Sequence, residues 1–453
     1  MKLTGKKVLV FGAGISGIGA ADLLCQVQAV PVIYDGNEKL TEEEVLAKLQ
    51  NPSGASAVLG ELPDSLLDQV ELAVLSPGVP TDLEEVKRIR AKGIPVWGEV
   101  ELAWQMGKGE VMAITGTNGK TTTTALTGQI MKDYFPDVYI VGNIGTPYTS
   151  CALKMTQDTV TVAEISSFQL ETIQEFAPRV SAILNITEDH LNRHHTMEEY
   201  IRVKELITCN QGKEDVCVLN YEDPVLRQFG EEQKERIGIT YFSSLRELPQ
   251  GVFLRGSQII LRENGKETAV TDTGSLKILG RHNHENVMAA IAIARAAGVP
   301  VERIKKTVEN FRAVPHRIEY VTEKNGVVYY NDSKGTNPDA AIKGIQAMDR
   351  PTLLIGGGYD KQSEYTEWIN SFDGKVRCLV LIGQTREKIQ EAAKACGFTD
   401  TILADSLEEA VKICAAKAKP GDAVLLSPAC ASWGQFDNYE QRGDKFKEYV
   451  NRL

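Results

Sequence analysis

Short apolar runs alternate with segments of helical periodicity along almost the whole chain. Lys7–Phe11, Val30–Asp35 and Glu110–Thr115 have the length of buried strands, and a segment of helical pattern follows each of them. Strands of parallel sheets are apolar throughout because helices cover both faces of the sheet. The pattern therefore predicts an α/β protein with mainly parallel sheets. Further strands of this kind are predicted at residues 71–76, 94–97, 160–165, 182–185, 327–331, 352–355, 378–382 and 423–427.

The alternation divides into three units. The first ends near Gly98, the second opens with a helix at 99–105, and the third begins after Phe311. We therefore predict an N-terminal domain of residues 1–98, a central domain of residues 99–311 and a C-terminal domain of residues 312–453. A chain of 453 residues is too long for one hydrophobic core, which agrees with this division.

A glycine-rich loop lies between the strand Glu110–Thr115 and a predicted helix. Glycines let backbone N–H groups turn toward a phosphate, and a helix N-terminus adds partial positive charge. A lysine here reaches the outer phosphates, and the following threonine hydroxyl is an Mg²⁺ ligand. The loop is two residues shorter than the standard phosphate-binding loop, which has a glycine where Ile114 stands. The alternative is a tight turn that happens to contain lysine. The residues concerned are Gly116, Thr117, Asn118, Gly119, Lys120, Thr121 and Thr122.

A second glycine motif, Gly12, Gly14 and Gly17, follows the first strand, and Asp35 ends the next strand. The spacing GxGxxG with a later acidic residue is typical of a dinucleotide site such as that for NAD. The same turn also binds other diphosphates or simply packs a helix on a strand. The motif alone leaves these alternatives open.

Polar residues follow two central strands. Asp189 and His190 follow the predicted strand at 182–185, and Glu164 ends the strand before it. The carboxyl ends of strands in an α/β sheet are where ligands bind. Zinc is one interpretation of His190, but no thiol or HExxH spacing supports it, and Mg²⁺ suits a neighbouring phosphate loop better. Glu164 is a second candidate ligand, or else a helix-capping carboxylate.

Residues 200–207 have the pattern of an amphipathic helix, on which Lys204 is predicted to be a solvated surface lysine. In the third unit, polar loops at 331–338, 356–361 and 427–433 each follow a predicted strand. Each alone is compatible with a simple turn. Three together predict one ligand-facing edge of that sheet.

The composition and charge of the chain argue against some classes of function and location. The net charge is -11 and the pI is about 5.3, which argues against general affinity for nucleic acid or an anionic membrane. No apolar run reaches the roughly 18 residues of a membrane span, and the N-terminus lacks a signal-peptide pattern. The eight cysteines include no CxxC pair and most stand in apolar surroundings. We expect reduced thiols, and therefore a cytoplasmic protein.

Taken together, these motifs resemble the Mur ligase family. The loop at 116–122 is shared by Mur ligases and folylpolyglutamate synthetases. The segments at 166–171 (SSFQLE), 187–191 (TEDHL), 331–337 (NDSKGTN) and 427–432 (SPACAS) are similar to those of the D-glutamate-adding members. Gly335 and Gly434 depart from the residues expected there, alanine and aspartate. The resemblance implies an N-terminal Rossmann-like domain for a UDP-sugar, a central P-loop ATPase domain and a C-terminal Rossmann-like domain.

The resemblance also implies a reaction. The carboxylate of UDP-N-acetylmuramoyl-L-alanine attacks the γ-phosphate of ATP, and D-glutamate then displaces phosphate from the acyl phosphate, in peptidoglycan precursor synthesis. We expect a monomer with these small-molecule substrates and no nucleic-acid or membrane partner. The alternatives are another Mur ligase or a folylpolyglutamate synthetase, an NAD-dependent dehydrogenase, and a non-catalytic nucleotide-switched binding protein.

Site residues follow from the resemblance position by position. Lys120, Glu164, His190 and Lys204 are implied to be catalytic. Two Mg²⁺ ions are implied, one held by Thr121 and Glu164, the other by His190 and a carbamylated Lys204. The other implied ATP contacts, besides residues 116–122, are Asn286, Arg317 and Asp332. The implied contacts of the UDP-substrate are Ile15, Ser16, Asp35, Gly78 and Asn143. Those implied for D-glutamate are Lys334, Thr336, Lys361, Ser432 and Tyr439, where phenylalanine is expected at 439.

Overall fold

The computed structural model describes residues 2–143, 146–312 and 314–453. Within these residues the strands form three separate sheets, and most neighbouring strands are parallel. The predicted α/β class is confirmed. The chain forms two compact units, one made of residues up to Thr271 with Glu285–Val308, the other of Asp272–His284 with Glu309–Leu453. The first unit holds two of the sheets and the second unit holds the third.

The N-terminal sheet is parallel wherever its strands pair, in the order β3-β2-β1-β4-β5. Alternate residues of β1 enter different cores: Val8 and Val10 face one side of the sheet, and Leu9 and Phe11 the other. Its strands are β1 (Lys7–Phe11), β2 (Val30–Asp35), β3 (Ser56–Leu59), β4 (Leu72–Leu75) and β5 (Val96–Gly98). Its helices are α1 (Ile15–Gln26), α2 (Glu42–Leu46), α3 (Asp64–Leu67) and α4 (Glu84–Ala91).

The central sheet has the order β14-β13-β12-β11-β10-β9-β6-β8-β7 in the described chain. Pairing is parallel from β7 to β12 and becomes antiparallel between β12 and β13. Its strands are β6 (Glu110–Thr115), β7 (Val138–Gly142), β8 (Val160–Glu164), β9 (Val180–Ile183), β10 (Val216–Asn220), β11 (Gly238–Ser243), β12 (Gly251–Arg255), β13 (Gln258–Glu263) and β14 (Lys266–Asp272). The helices between residues 99 and 310 are α5 (Glu99–Met106), α6 (Lys120–Lys132), α7 (Ser167–Leu170), α8 (Leu191–His194), α9 (Met197–Glu205), α10 (Pro224–Gln233), α11 (Arg281–Ala296) and α12 (Val301–Asn310). This stretch also has 3₁₀ turns at Tyr148–Ser150, Ala152–Lys154, Leu206–Thr208 and Thr273–Ser275.

The sheet of the second unit has the order β15-β16-β20-β17-β18-β19, and only its β15–β16 pair is antiparallel among the described strands. Its strands are β15 (Glu319–Lys324), β16 (Val327–Asn331), β17 (Thr352–Gly358), β18 (Val376–Gly383), β19 (Thr401–Leu403) and β20 (Ala423–Leu426). The helices that pack on it are α13 (Pro338–Gln346), α14 (Thr366–Asn370), α15 (Arg386–Ala395), α16 (Leu407–Lys417) and α17 (Tyr439–Asn451).

Most predicted strands lie where the structure has them, and four have the predicted bounds: β1, β2, β6 and β16. The strand predicted at 182–185 is Val180–Ile183, so Asn185 belongs to the following loop. The domain boundaries at 98 and 311 remain a prediction. No helix among the described residues is both long and apolar enough to cross a bilayer. All eight cysteines are free thiols, and Cys209 is exposed.

Candidate active site

The glycine-rich loop connects β6 to α6, and two of its glycines have left-handed or neighbouring conformations. The φ angle is 146° at Gly116 and 86° at Gly119, which L side chains rarely adopt. A Cβ on Gly119 would also overlap the amide oxygen of Asn286, which is buried beside the loop. The loop and Asn286 therefore pack closely against each other within the first unit.

Lys120 begins α6 and curls back over the loop. Its Nζ donates to the carbonyl oxygens of Gly116 (2.8 Å) and Thr117 (2.9 Å). No side chain of the described residues caps the helix at Gly119. The first amides of a helix lack intrahelical acceptors and carry partial positive charge, so this end of α6 suits an anion. Thr121 and Thr122 follow in the first turn, both buried.

The loop after β9 lies directly against the glycine-rich loop. Asn185 accepts a hydrogen bond from the Asn118 amide (2.8 Å) and donates to the Asn118 carbonyl (3.0 Å). Thr117 Oγ1 accepts from the Thr187 amide (3.0 Å) and lies 3.1 Å from the hydroxyl of Tyr200. These contacts pin the glycine-rich loop to the segment that leads to His190.

Glu164 ends β8, which pairs with both β6 and β7, so its carboxylate lies at the same sheet edge as the loop. The side chain is 1% exposed. Oε1 accepts from Asn143 Nδ2 (2.9 Å), whereas Oε2 is buried without a hydrogen-bond partner among the described residues. A buried, unpaired carboxylate oxygen requires a compensating cation or donor.

Lys204 is buried under the loop, so the prediction that it is a surface lysine is wrong. It is 1% exposed, and its Nζ donates to the Gly116 carbonyl oxygen (2.9 Å) and lies 4.7 Å from the centre of the Tyr200 ring. Burial, and second the charge of Lys120, lower the pKa of Lys204 to about 7. Its helix buries Tyr200, Val203 and Lys204 on the face that packs against the core.

His190 has a left-handed conformation, with φ of 54°. Its Nε2 lies 3.5 Å from Asp189 Oδ2, and its ring packs against Phe168 at 4.9 Å between centroids. The side chain is half exposed. The half-exposed imidazole is therefore accessible to a ligand or metal.

The unmodified side chains supply oxygen donors for one divalent cation, and a second cation would need a modified Lys204. Thr121 and the unpartnered oxygen of Glu164 are hard oxygen donors, as Mg²⁺ requires. An ammonium has no lone pair, so Lys204 in its unmodified form is not a ligand. In the described chain, no three His, Cys, Asp or Glu side chains come together as a metal cluster.

The N-terminal glycine motif lies at a topological switch point, because β2 and β4 flank β1. The Asp35 carboxylate accepts from the Ala13 amide (2.9 Å) and from the Asn37 amide (3.0 Å). A Cβ on Gly17 would overlap the Gly12 carbonyl oxygen, so this glycine permits close helix–strand packing. Gly78 follows the neighbouring strand β4 and is exposed.

Ile15 is 82% exposed, an unusual position for a large apolar side chain, and Ser16 follows it at the start of α1. A cavity of about 700 Å³ opens beside this turn and runs along α1. Its lining includes Asp22, Lys48 and Lys154, and its volume is in the range of small-molecule sites.

In the second unit, the three polar loops follow β16, β20 and β17, which are neighbours in the sheet. The predicted shared edge is confirmed. Asp332 accepts from Ser427 Oγ (2.7 Å), and burial raises the pKa of Asp332 to about 7. Arg317, whose charge acts in the opposite direction, has a buried Nε without a hydrogen-bond partner among the described residues.

The residues assigned to D-glutamate lie along that edge. Lys334 Nζ is 5.5 Å from the Tyr439 ring centre, and Lys361 Nζ is 4.7 Å from that of Trp433. Ser432 is buried and Thr336 is half-buried. The structure thus brings Lys334 close to Tyr439.

Arg442 was not singled out from the sequence, yet it joins the loops of this edge. It is 1% exposed and donates to Ser333 Oγ (2.9 Å), to the Ser333 carbonyl (2.8 Å) and to the Cys430 carbonyl (3.0 Å). Burial lowers the pKa of Arg442 to about 10. The spacing of Arg442, Phe446 and Val450, four residues apart on α17, was the available signal for its burial.

Three family models match the chain. The N-terminal domain of MurD-like Mur ligases matches residues 6–98, the Mur ligase middle domain matches 114–294, and the Mur ligase glutamate ligase domain matches 316–430. The chain belongs to the Mur ligase family.

Close relatives extend over the full length. The UDP-N-acetylmuramoylalanine–D-glutamate ligases of Lachnoclostridium phytofermentans and Lachnospira eligens are 57% and 55% identical, covering 100% of this chain and 99% and 100% of theirs. The enzyme of that name from Clostridioides difficile is 43% identical, with 100% of both chains covered.

Solved structures of Mur ligases share the three-domain fold. UDP-N-acetylmuramate-alanine ligase from Thermotoga maritima matches with a TM-score of 0.60 and 19% identity, over 99% of each chain. The Thermotoga maritima MurF ligase in complex with ADP matches with a TM-score of 0.59 and 17% identity, over 100% of this chain and 96% of that one.

Proposed function

We propose that the protein is an ATP-dependent, ADP-forming ligase that adds D-glutamate to UDP-N-acetylmuramoyl-L-alanine in cytoplasmic peptidoglycan precursor synthesis. The observation that carries the proposal is that the buried Lys204 donates to the glycine-rich loop, at the sheet edge where the buried Glu164 also lies. The chain also aligns over its full length with D-glutamate ligases. The free thiols agree with a cytoplasmic enzyme, and we propose that it acts as a monomer.

In the first step, a carboxylate oxygen of the UDP-substrate attacks the γ-phosphorus of ATP. The bond from that phosphorus to the β,γ-bridging oxygen breaks, so ADP leaves and an acyl phosphate forms. Because one anion approaches another, the site must neutralise charge. Lys120 and the amides of residues 116–122 at the start of α6 do this, and Lys120 exchanges its loop carbonyls for phosphate oxygens when ATP binds.

In the second step, the amine of D-glutamate attacks the acyl carbon. The carbon–oxygen bond to the phosphate breaks, inorganic phosphate leaves, and the amine loses a proton. Lys334, Thr336, Lys361, Ser432 and Tyr439 bind the two carboxylates of D-glutamate, for which cations and hydroxyls are suited. Arg317, Asp332 and Asn286 are further contacts of ATP in this proposal.

Thr121 and Glu164 would hold one Mg²⁺, and His190 with a carbamylated Lys204 would hold a second. When bound, these ions would polarise the phosphoryl oxygens and offset their charge. Carbamylation is supported by the burial of Lys204 and by its sharing one carbonyl oxygen with Lys120. The Lys204 ammonium loses a proton to water, and the neutral amine adds CO₂ and releases a second proton, so an anionic oxygen ligand replaces a cation. A neutral amine is the form that adds CO₂.

The UDP part of the substrate binds at the N-terminal switch point. Ile15, Ser16 and Gly78 contact it there, Asp35 fixes the turn through the Ala13 amide, and Asn143 lies next to Glu164 at the centre of the site. The glycine motif then binds the diphosphate of a sugar nucleotide, and the NAD alternative is not needed.

The experiment is product formation measured with ATP, Mg²⁺, UDP-N-acetylmuramoyl-L-alanine and single amino acids. We expect UDP-N-acetylmuramoyl-L-alanyl-D-glutamate and one phosphate per product with D-glutamate only. Ligation of L-lysine or L-glutamate but not of D-glutamate would identify another Mur ligase or a folylpolyglutamate synthetase. Tight NADH binding without affinity for UDP would favour a dehydrogenase.

A further inference from the structure

Arg193, which has no role in the chemistry above, connects two segments of the first unit. Its Nε and Nη2 donate to the two carboxylate oxygens of Glu171, over 3.2 and 2.6 Å. Nη2 also donates to the carbonyl oxygen of Val79 (2.9 Å), in the turn that follows β4 of the N-terminal sheet. A single guanidinium thus bonds the turn next to Gly78 to the segment that follows Glu164.

The environment of this contact is built for a planar cation. The Arg193 and Glu171 side chains are only 12% and 9% exposed, and the guanidinium carbon lies 4.9 Å from the centre of the Phe168 ring. A guanidinium can form a two-pronged pair, donate to a third acceptor and stack on an aromatic ring, whereas an ammonium is a compact point charge. The geometry therefore depends on arginine.

Both ends of the contact adjoin proposed substrate-binding or catalytic groups. Gly78 precedes Val79, and the Arg193 amide donates to the His190 carbonyl (2.9 Å). Phe168 packs against both the Arg193 guanidinium and the His190 ring. The Thr172 carbonyl, next to Glu171, accepts from the Gly98 amide (3.0 Å), so residues 166–172 support the N-terminal sheet at a second point.

We propose that Arg193, paired with Glu171, is a positioning residue that holds the UDP-binding turn at 76–79 in register with His190 and the phosphate loop. The inference rests on the proposed function. The reacting carboxylate lies at the far end of a long substrate whose UDP is anchored at that turn. A small displacement of the turn therefore moves the carboxylate away from the γ-phosphorus without removing any group that binds UDP or ATP.

The test compares Arg193→Lys and Glu171→Gln with the wild type. Binding stoichiometry and affinity are measured by calorimetric titration with UDP alone and with ADP, and kcat is expressed per UDP-binding site. We expect UDP and ADP affinities within about threefold of wild type and a kcat lower by roughly 100-fold in each variant. The double variant should lose no more than the worse single variant, because both substitutions break one contact.

Arg202→Lys is the matched control, since Arg202 forms the same two-pronged pair with Glu199 but on an exposed helix face. Its kcat should equal that of the wild type. An unchanged kcat in Arg193→Lys or Glu171→Gln would overturn the inference. So would a loss of activity that vanishes when kcat is counted per UDP-binding site, because that is the effect of a merely structural residue.

The inference and the proposed function can fail separately. Wild-type ligation of D-glutamate tests the proposed function. The ratio of variant to wild-type kcat tests Arg193 with whichever amino acid the wild type accepts.

Discussion

Lys120 and Lys204 donate to the same acceptor, the carbonyl oxygen of Gly116, over 2.8 and 2.9 Å. Two ammonium groups on one carbonyl repel each other, and Lys204 is also cut off from water. Binding of a phosphate to Lys120 and the proposed carbamylation of Lys204 would each remove one of these two charges from the Gly116 carbonyl. The pair therefore links nucleotide binding to the proposed modification of Lys204.

Replacing Lys204 by methionine should abolish ligation while leaving the fold intact, because methionine fills the same space without a charge. We expect kcat to fall by at least about 100-fold, as when one charge-stabilising group is removed from an active site. The measurement is phosphate release with all three substrates. Lys213→Met, at an exposed lysine, should retain wild-type activity.

The carbamate itself can be detected by bicarbonate dependence. Enzyme depleted of CO₂ should lose activity and regain it on addition of bicarbonate, and ¹³C-bicarbonate should give one carbamate carbon signal that Lys204→Met lacks. Full activity without CO₂, together with no such signal, would show that Lys204 acts as an unmodified amine.

Asp332→Asn should alter the pH dependence of stability. In the folded protein burial raises the pKa of Asp332 to about 7, whereas in the unfolded chain the carboxyl ionises near pH ~4. Between these values the folded state holds the proton and the unfolded state does not, so this group's contribution falls as pH rises through that window. The pKa difference corresponds to a change of at most about 4 kcal/mol in the free energy of unfolding.

Relative to wild type, Asp332→Asn should therefore be more stable at pH 8 than at pH 5, as measured by thermal unfolding at both values. Asp349→Asn, at a mostly exposed carboxyl, should show the same difference from wild type at each pH. Equal effects of Asp332→Asn at both pH values would mean that the buried carboxyl is already ionised at pH 5.

Gly119→Ala should weaken ATP binding, because the new Cβ would overlap the Asn286 amide oxygen beside the loop. The backbone strain at φ of 86° adds roughly 1–2 kcal/mol to the cost. Gly93→Ala separates the two effects, since Gly93 has φ of 71° but open space around it. We expect Gly93→Ala to lower stability by a similar strain and leave ATP affinity unchanged, measured by calorimetric titration.

Arg442→Lys should raise the KM for D-glutamate more than the KM for the UDP-substrate. Three different nitrogens of Arg442 donate to Ser333 Oγ and to the Cys430 and Ser333 carbonyls. The single nitrogen of a lysine does not span these three acceptors, so the loops carrying Lys334 and Ser432 lose a common support. A stability loss of about 1–3 kcal/mol should accompany this. Arg452→Lys, at an exposed arginine that follows α17, should change neither KM. Equal increases in both KM values would argue against a role confined to the D-glutamate edge.

The strands and loops of the site were predictable because their signals are local. A buried parallel strand is apolar along its whole length, so β1, β2, β6 and β16 were predicted with their observed bounds. Residues 332, 360 and 427 follow the carboxyl ends of parallel strands, which meet at one edge of a sheet, so their proximity was predictable without knowing the strand order. The antiparallel hairpin of β12 and β13 was missed, since the apolar run of each strand is only three residues long, at 252–254 and 259–261.

Lys204 and Arg193 show where a prediction from residue type alone goes wrong. Tyr200, Val203, Lys204 and Ile207 have the spacing of a helix face that packs on a core, and all four are buried. Lys204 was predicted to be exposed because lysine is charged, whereas its position on this helix face indicates burial. Arg193 could not be found this way, because its role depends on a carbonyl from another sheet, more than a hundred residues away in sequence.

The most direct test of the central claim follows one oxygen atom. UDP-N-acetylmuramoyl-L-alanine labelled with ¹⁸O in its carboxylate is ligated to D-glutamate with unlabelled ATP, and the released phosphate is analysed by mass spectrometry. The attacking carboxylate oxygen stays on phosphorus when the amine displaces phosphate, so each phosphate should carry one ¹⁸O. Unlabelled phosphate released in step with ligation would contradict transfer of the γ-phosphate to the substrate carboxylate.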